Sequence, residues 1–475
     1  MFSFASKTNN PNTKLGWNDR IGFGMGNLGM AWVNGMMSAF LMKYLTDVSL
    51  VDAAAVSTII AISKLFDGVS DLFMGRIVDK TKSKLGKARV WLLRMCIPMA
   101  IATVLLFSIP HSMTGMVQYV YVFIMYNLVN SVFYTAMNVP YNSLISLSTT
   151  DTYEHGMLGN IAMIFQTIAN ILMNTFFMSW VLKFAGTALE TPYAAEAQRG
   201  WTIAAIVVGI IIVVSALICF AGTKERTGSA AAEGGEAPKD DVPTGKALKS
   251  LFTNKYWLTM ILAMFVIFFI IVMYSAGAIY YCADVLGDYS LYTPVNNALS
   301  IAQFATMFVT PFFMKKFGKH MTYMVGLVGM AAGFLGTGLV GTSVAGLVVF
   351  NALKGIGLGA AGGMAFGMVA DTLEYGEWKD GFKTVGMGNA AISAAQKLGL
   401  GIGQVVLGWI LAFGGYDGAA AVQSESAKQA ITFLYNWLPV AMIVVTFIIM
   451  LFYRLDKEMP KIQKELEERK EKENK

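Results

Sequence analysis

The residues best suited to chemistry are two carboxylates within an apolar stretch of the first hundred residues. The segment ISKLFDGVSDLFMG (62–75) places Asp67 and Asp71 four residues apart, with Lys64 and Ser70 close by. On a helix the two carboxylates share one face. Neighbouring carboxylates repel unless a proton or a cation lies between them, and hard oxygen ligands suit a small cation. The spacing predicts a cation site, with Na⁺ as the expected ion. The alternative is that both carboxylates form ion pairs with Lys64 and a second basic residue and serve only helix packing.

A second group consists of neutral polar and aromatic residues in YNLVNSVFYTAMNVPYNSLISLS (126–148). Amides and hydroxyls pair with sugar hydroxyls, and an aromatic face stacks on the apolar side of a sugar ring. Amides also hold membrane helices together, so each residue could instead serve packing. The residues predicted to contact a substrate are Asn34, Tyr134, Asn138, Tyr141, Asn142 and Lys397.

Lys397 is predicted to be the one strong charge near the middle of the second half of the chain. A buried lysine must meet an anion or lose its proton. Its expected partner is the pair of carboxylates Asp67 and Asp71. Gly399 and Gly403 follow with the small-xxx-small spacing that allows close helix packing.

A mixed-charge segment, ADTLEYGEWKDGFKTVGMG (370–388), lies at a predicted cytoplasmic helix end. Salt bridges there could hold the cytoplasmic side closed, and the alternative is a solvated loop. The predicted cytoplasmic gate residues are Asp371, Glu374, Glu377, Lys383 and Arg89.

The composition requires that these residues be positioned by membrane helices. Of 475 residues, 55% are hydrophobic and 14% are charged, whereas a soluble domain carries about 25% charge. A spanning helix needs roughly 20 apolar residues. The candidate spans are 20–46, 53–78, 89–110, 115–148, 157–186, 200–222, 256–285, 292–316, 320–342, 344–370, 384–414 and 428–454. A secreted enzyme and a cytosolic binding module are excluded.

Loop charges predict the orientation and the domain layout. Basic residues follow the second and eighth spans, whereas opposite loops hold acids such as Asp47 and Asp52, so both termini are predicted to be cytoplasmic. The polar segment 224–250 predicts a linker. The expected order is an N-terminal six-helix bundle (1–222), a cytoplasmic linker (223–255), a C-terminal six-helix bundle (256–455) and a charged cytoplasmic tail (456–475). Twelve transmembrane helices in two bundles give an all-α membrane protein with the major facilitator layout.

Other motifs carry no chemistry. The glycines of GFGMGNLG (22–29) follow no strand and precede no GK[ST], which predicts a helix-packing role rather than ATP hydrolysis. No nucleophile–base pair or metal constellation predicts an enzyme, and no cofactor beyond the coupling ion is expected. The expected partners are a small saccharide, a cation and the lipid bilayer of the cell membrane. No nucleic acid is expected to bind, and the chain is expected to be a monomer.

Four segments together resemble the glycoside-pentoside-hexuronide:cation symporters, the melibiose permease-like branch of the major facilitator superfamily. These segments are LMKYLTDV (41–48), FDGVSDLFMGRIVDKTKSKLGKARVW (66–91), YTAMNVPYNSL (134–144) and ADTLEYGEWKDGFKTVG (370–386). The resemblance covers nearly the whole chain. It implies alternating access and uptake of a saccharide driven by Na⁺, Li⁺ or H⁺.

The resemblance also assigns roles residue by residue. Asp67 and Asp71 match the cation-site carboxylates of the family, Thr135 matches its hydroxyl on the fourth helix, and Lys397 matches the lone lysine of the eleventh. Ser70 stands where the family has an amide. The family's sugar-binding groups are replaced by Ala31, Asn138, Asn142 and Met163.

These replacements predict a substrate other than a galactoside. Loss of two acids removes repulsion against an anionic sugar, so a hexuronide or a larger saccharide becomes possible. Two alternatives remain: coupling to H⁺, since one carboxylate that takes up a proton would serve equally, and a major facilitator carrier of lysolipids or other amphiphiles.

Overall fold

The computed structural model describes residues 14–110, 112–149, 152–186, 195–226, 244–341, 343–382, 384–420 and 422–473, and within these ranges all regular structure is helical. The α-helices longer than three residues are α1 Trp17–Gly35, α2 Ala53–Lys80, α3 Arg89–Leu106, α4 Gly115–Asn127, α5 Thr135–Ser148, α6 Thr152–Ala185, α7 Gln198–Gly222, α8 Thr244–Thr253, α9 Lys255–Tyr280, α10 Tyr292–Leu339, α11 Val344–Asp380, α12 Val385–Phe413, α13 Glu425–Thr432, α14 Leu438–Met450 and α15 Leu455–Glu473. π-Helical segments at Met36–Phe40, Tyr44–Val48, Leu128–Tyr134, Tyr281–Val285 and Phe433–Trp437 extend or join them. Two 3₁₀ turns lie at Ala195–Ala197 and Tyr289–Leu291, and a single α-helical turn lies at Leu41–Lys43.

Helices lie at all twelve predicted spans. Counted over the described residues, nine are long and apolar enough to cross a membrane. The predicted spans 292–316 and 320–342 correspond to two helical segments of α10, which are separated at Gly318, with φ 82° and ψ 168°. A glycine adopts this positive φ without a steric penalty, so two helical segments meet there at an angle. The predicted all-helical membrane fold is confirmed.

The acidic segment after residue 370 is helical, because α11 continues to Asp380. Val369 and Leu373 are buried, which gives this stretch an apolar face. The solvated-loop interpretation is therefore wrong for residues 370–380.

The chain divides into two compact units, the first comprising residues 1–237 with 408–427 and the second 238–407 with 428–475. The predicted linker, 223–255, includes α8 and a stretch outside the described residues.

In the first unit, α1 packs against α6 and α7 through the glycines of segment 22–29. A Cβ on Gly22 would lie 2.7 Å from the Cα of Gly222, and one on Gly29 would lie 2.8 Å from the Cβ of Ser215. A larger residue would push these helices apart. The predicted packing role of the glycines is confirmed.

Helix α2, which carries both predicted cation-site carboxylates, packs against α4 and α5. Met74 and Val78 of α2 form a buried cluster with Ala136 of α5. Elsewhere along α2, Asn127 Nδ2 of α4 donates to Ser63 Oγ of α2 at 2.7 Å. Asn127, one of the amides with two possible roles, therefore joins two helices.

In the second unit, α9, α10, α11 and α14 enclose a core that includes Trp257, Tyr323 and Phe334. The charged tail forms α15, whose Ile462 and Leu466 are buried. The indole N–H of Trp378 in α11 donates to a carboxylate oxygen of Glu465 in α15 at 2.7 Å. These contacts hold the tail against its own unit.

Candidate substrate and cation sites

A cavity of about 300 Å³ lies within the first unit, between α1, α6 and the π-helical segment with α5. Each wall is one helix face, since its members recur at three- and four-residue spacing. The lining residues are Phe23, Asn27, Ala31, Asn34, Tyr134, Asn138, Tyr141, Asn142, Ile145, Gly159, Ala162, Met163 and Gln166. Five carry side-chain amides and all thirteen are uncharged.

Five of the six residues predicted to contact a substrate line this cavity: Asn34, Tyr134, Asn138, Tyr141 and Asn142. Asn34 and Asn142 have exposed side chains and that of Asn138 is half-buried, and none of the three bonds to another described residue. The structure brings the predicted set together, and its role in binding stays a prediction. Asn27 of α1 and Gln166 of α6, which are not among the predicted substrate contacts, also line the cavity.

Tyr141 presents its ring rather than its hydroxyl to the cavity. The hydroxyl donates to the carbonyl oxygen of Phe23 at 3.0 Å, and the two rings stack with centroids 4.4 Å apart. Tyr141 is 2% exposed. The pair forms a fixed aromatic wall beside the amides of the cavity.

The aromatic wall depends on a glycine of α1. A Cβ on Gly26 would lie 2.7 Å from both Cε2 of Tyr141 and Sγ of Cys219, and both of these side chains are buried. Gly26→Ala should therefore displace Tyr141, lower the melting temperature and weaken ligand binding at least tenfold.

Gly159→Ala is the matched control for this prediction. Gly159 lines the same cavity, but a Cβ there has nothing within 4 Å. Alanine favours a helix by about 1 kcal/mol over glycine, so this variant should melt no lower than the wild type. Equal melting temperatures of purified Gly26→Ala and wild type would contradict the argument.

The cation-site prediction is partly within the described residues. Asp67 and Asp71 lie in α2, but their side chains are outside the described residues. Ser70 is half-buried, and Thr135 is 6% exposed at the first position of α5. One helical turn after Thr135 comes Asn138 of the cavity. A π-helical segment immediately before Thr135 is typical of a functional site.

Lys397 lies in α12 with an exposed side chain. It is not the only strong charge near the middle of the second half, so that prediction is wrong. Lys354 of α11 is 1% exposed, and its Nζ lies 4.3 Å from the ring centre of Phe334 and 4.2 Å from that of Tyr435. The aromatic faces stabilise an ammonium group that has no hydrogen-bond acceptor in the described structure.

The predicted gate residues of α11 bind partners within the second unit. Lys319 Nζ lies 2.6 Å from a carboxylate oxygen of Asp371 and joins α10 to α11. Glu374 accepts a hydrogen bond from Gln463 of α15 at 3.2 Å. Glu374 and Glu377 line a second cavity, of about 430 Å³. Lys383 lies outside the described residues.

Arg89, the remaining gate residue, is bound within the first unit. Its guanidinium donates to the carbonyl oxygen of Phe220 and lies 4.3 Å from the ring centre of that residue. Glu225 accepts the backbone N–H groups of Lys87, Ala88 and Arg89 at 2.8–3.0 Å, which caps the start of α3. A gating role for Arg89 stays a prediction.

The fold is that of membrane transporters of the major facilitator type. A solved structure of a D-xylose–proton symporter superposes with a TM-score of 0.64, covers 93% of this chain and 99% of its own, and is 12% identical in sequence. At that identity the likeness concerns the fold alone.

The family follows from the sequence comparison. The model for the family described as MFS/sugar transport protein matches residues 22–457, and the chain belongs to this family. It is similar to an isoprimeverose transporter of Lactiplantibacillus pentosus, with 29% identity over 96% of this chain and 93% of the relative. It is also similar to a glucuronide carrier protein homolog of Escherichia coli K12, with 26% identity over 97% of each chain. The protein is thus a multi-pass membrane transporter and not an enzyme.

Proposed function

We propose that the protein is a secondary active symporter that takes up a glycoside or oligosaccharide by alternating access, with Na⁺ as the coupling ion. The cavity of the first unit carries this proposal. Amides supply paired donors and acceptors, and the stacked rings of Phe23 and Tyr141 supply an apolar face. Pockets for small ligands begin at about 300 Å³, so the cavity fits a small saccharide.

The substrate is neutral in this proposal. None of the thirteen lining residues carries a charge, and a carboxylate buried without a partner is costly. One relative is named for isoprimeverose and another for a glucuronide, so both kinds of sugar belong in the test. The uncharged lining favours the former kind over a hexuronide.

The cation binds between Asp67 and Asp71, with oxygen ligands from Ser70 and Thr135. Occupation neutralises the carboxylate pair and orders the start of α5. Because Asn138 follows Thr135 on α5, the same ordering prepares the cavity wall for the sugar. Each ligand favours the same conformer, so the coupling is reciprocal. In the orientation that the loop charges predict, both termini face the cytoplasm.

The test is ligand-dependent stability of the purified full-length protein in detergent. A ligand that binds the native state raises the melting temperature by mass action. We would compare isoprimeverose, methyl xyloside, methyl glucoside, methyl glucuronide and a lysophospholipid, each in NaCl and in choline chloride. Stabilisation by a neutral sugar that increases in NaCl is expected.

Other outcomes select the alternatives. Stabilisation by the lysophospholipid alone would make the protein an amphiphile carrier. A sugar effect independent of Na⁺, with uptake driven by a pH gradient, would make H⁺ the coupling ion. Preference for the glucuronide would contradict the neutral substrate.

A further inference from the structure

Asn27 of α1 and Gln166 of α6 form an amide pair across the cavity wall. Asn27 Nδ2 donates to the carbonyl oxygen of Ala162 at 2.7 Å and lies 3.5 Å from Oε1 of Gln166. Both residues line the cavity, and the side chain of Gln166 is exposed. The pair therefore has a defined orientation and access to a ligand.

The orientation determines which polar atoms remain for a ligand. An amide has one carbonyl acceptor and an NH₂ group with two donors. Because Asn27 directs its NH₂ group to Ala162 and Gln166, its Oδ1 is the group left to accept. Because Gln166 directs Oε1 to Asn27, its NH₂ group is left to donate. The cavity thus contains an acceptor and a donor side by side.

We propose that Asn27 and Gln166 determine specificity by binding two neighbouring hydroxyls of a neutral saccharide. Each sugar hydroxyl can both donate and accept, so a vicinal pair matches the acceptor of Asn27 and the donor of Gln166. Ala31 lies one turn after Asn27 on the same face, and its small side chain leaves space for the ring. This inference rests on the proposed function, since it names the groups that the same cavity reads.

The experiment pairs variants with deoxy sugars. Methyl xyloside and methyl glucoside, together with each of their monodeoxy analogues, are titrated into wild type and Gln166→Met in NaCl by calorimetry. Methionine keeps the length and removes the polar atoms. Thr167→Val is the matched control, because the Thr167 hydroxyl bonds to Met163 O of its own helix at 3.0 Å and the residue does not line the cavity.

The expected result is that the deoxy analogue and the Gln166→Met variant each weaken binding, but that their losses of affinity do not add. In the wild type, one deoxy analogue binds about tenfold more weakly than its parent. Gln166→Met binds the parent about tenfold more weakly than the wild type does, and it binds that analogue with no further loss. Asn27→Ala repeats this pattern with the neighbouring hydroxyl. Thr167→Val behaves as the wild type.

Three results would overturn the inference. If Gln166→Met binds the parent sugar as tightly as the wild type does, Gln166 makes no contact with the sugar. An equal further loss with every deoxy analogue would show that the residue acts through the fold alone. A wild type that binds none of these neutral sugars would overturn the proposed neutral-sugar function as well, which distinguishes the failure of both from the failure of this one.

Discussion

Asp71→Asn should abolish Na⁺-driven accumulation of the sugar and leave energy-independent exchange of sugar across the membrane. The amide keeps the size of the side chain but cannot balance the charge of a bound cation. Without the cation, sugar binding persists at lower affinity, because coupling changes the affinity rather than creating the site. Uptake into proteoliposomes with an imposed Na⁺ gradient measures accumulation, and counterflow measures exchange.

Asp52→Asn is the matched control for this prediction. It makes the same substitution at the start of the same helix. Asp52 is the N-cap of α2, and its carboxylate accepts the backbone N–H of Ala55 at 2.9 Å. Asparagine caps a helix about as well as aspartate, so this variant should accumulate sugar normally. Full accumulation by Asp71→Asn would refute the cation site. If a pH gradient drives wild-type uptake and Na⁺ does not, the site holds a proton and Asp71→Asn should still lose accumulation.

Local spacing was sufficient to predict the α5 wall of the cavity. Tyr134, Asn138 and Asn142 recur at intervals of four, so any helix through them places them on one face. Asn27 and Gln166 are 139 residues apart, and they meet where Gly24 lets α1 approach α6 closely. No spacing within either segment indicates that contact.

Charged residues show the same limit. Lys354 is a lone cation in an apolar stretch and could have been recognised by the criterion applied to Lys397. Its placement against Phe334 and Tyr435 required the packing of three segments. Asp47, predicted to lie in a loop because acids mark the ends of spans, is instead 6% exposed within the π-helical segment Tyr44–Val48.

A buried ion pair at the end of this segment leads to the second large prediction. Lys43 is 0% exposed, and its Nζ lies 2.6 Å from a carboxylate oxygen of Asp47 and 2.6 Å from the hydroxyl of Tyr416. That hydroxyl lies 2.7 Å and 2.8 Å from the two carboxylate oxygens. All three residues belong to the first unit. Asp47→Ala removes the carboxylate from a buried ammonium, which typically costs about 3–5 kcal/mol.

The melting temperature of Asp47→Ala should therefore fall well below that of the wild type, whereas Asp52→Ala at the exposed cap of α2 should lower it only slightly. Replacing both charges, as Lys43→Met with Asp47→Leu, should recover much of the loss, because a buried ion pair exchanged for apolar groups is often nearly neutral in stability. Tyr416→Phe should fall between these variants, since it removes one hydroxyl and leaves both charges in contact. If the double variant melts as low as Asp47→Ala, the loss comes from repacking the end of the helix and not from the charge left behind. If Asp47→Ala melts as the wild type does, the ion pair contributes nothing to stability.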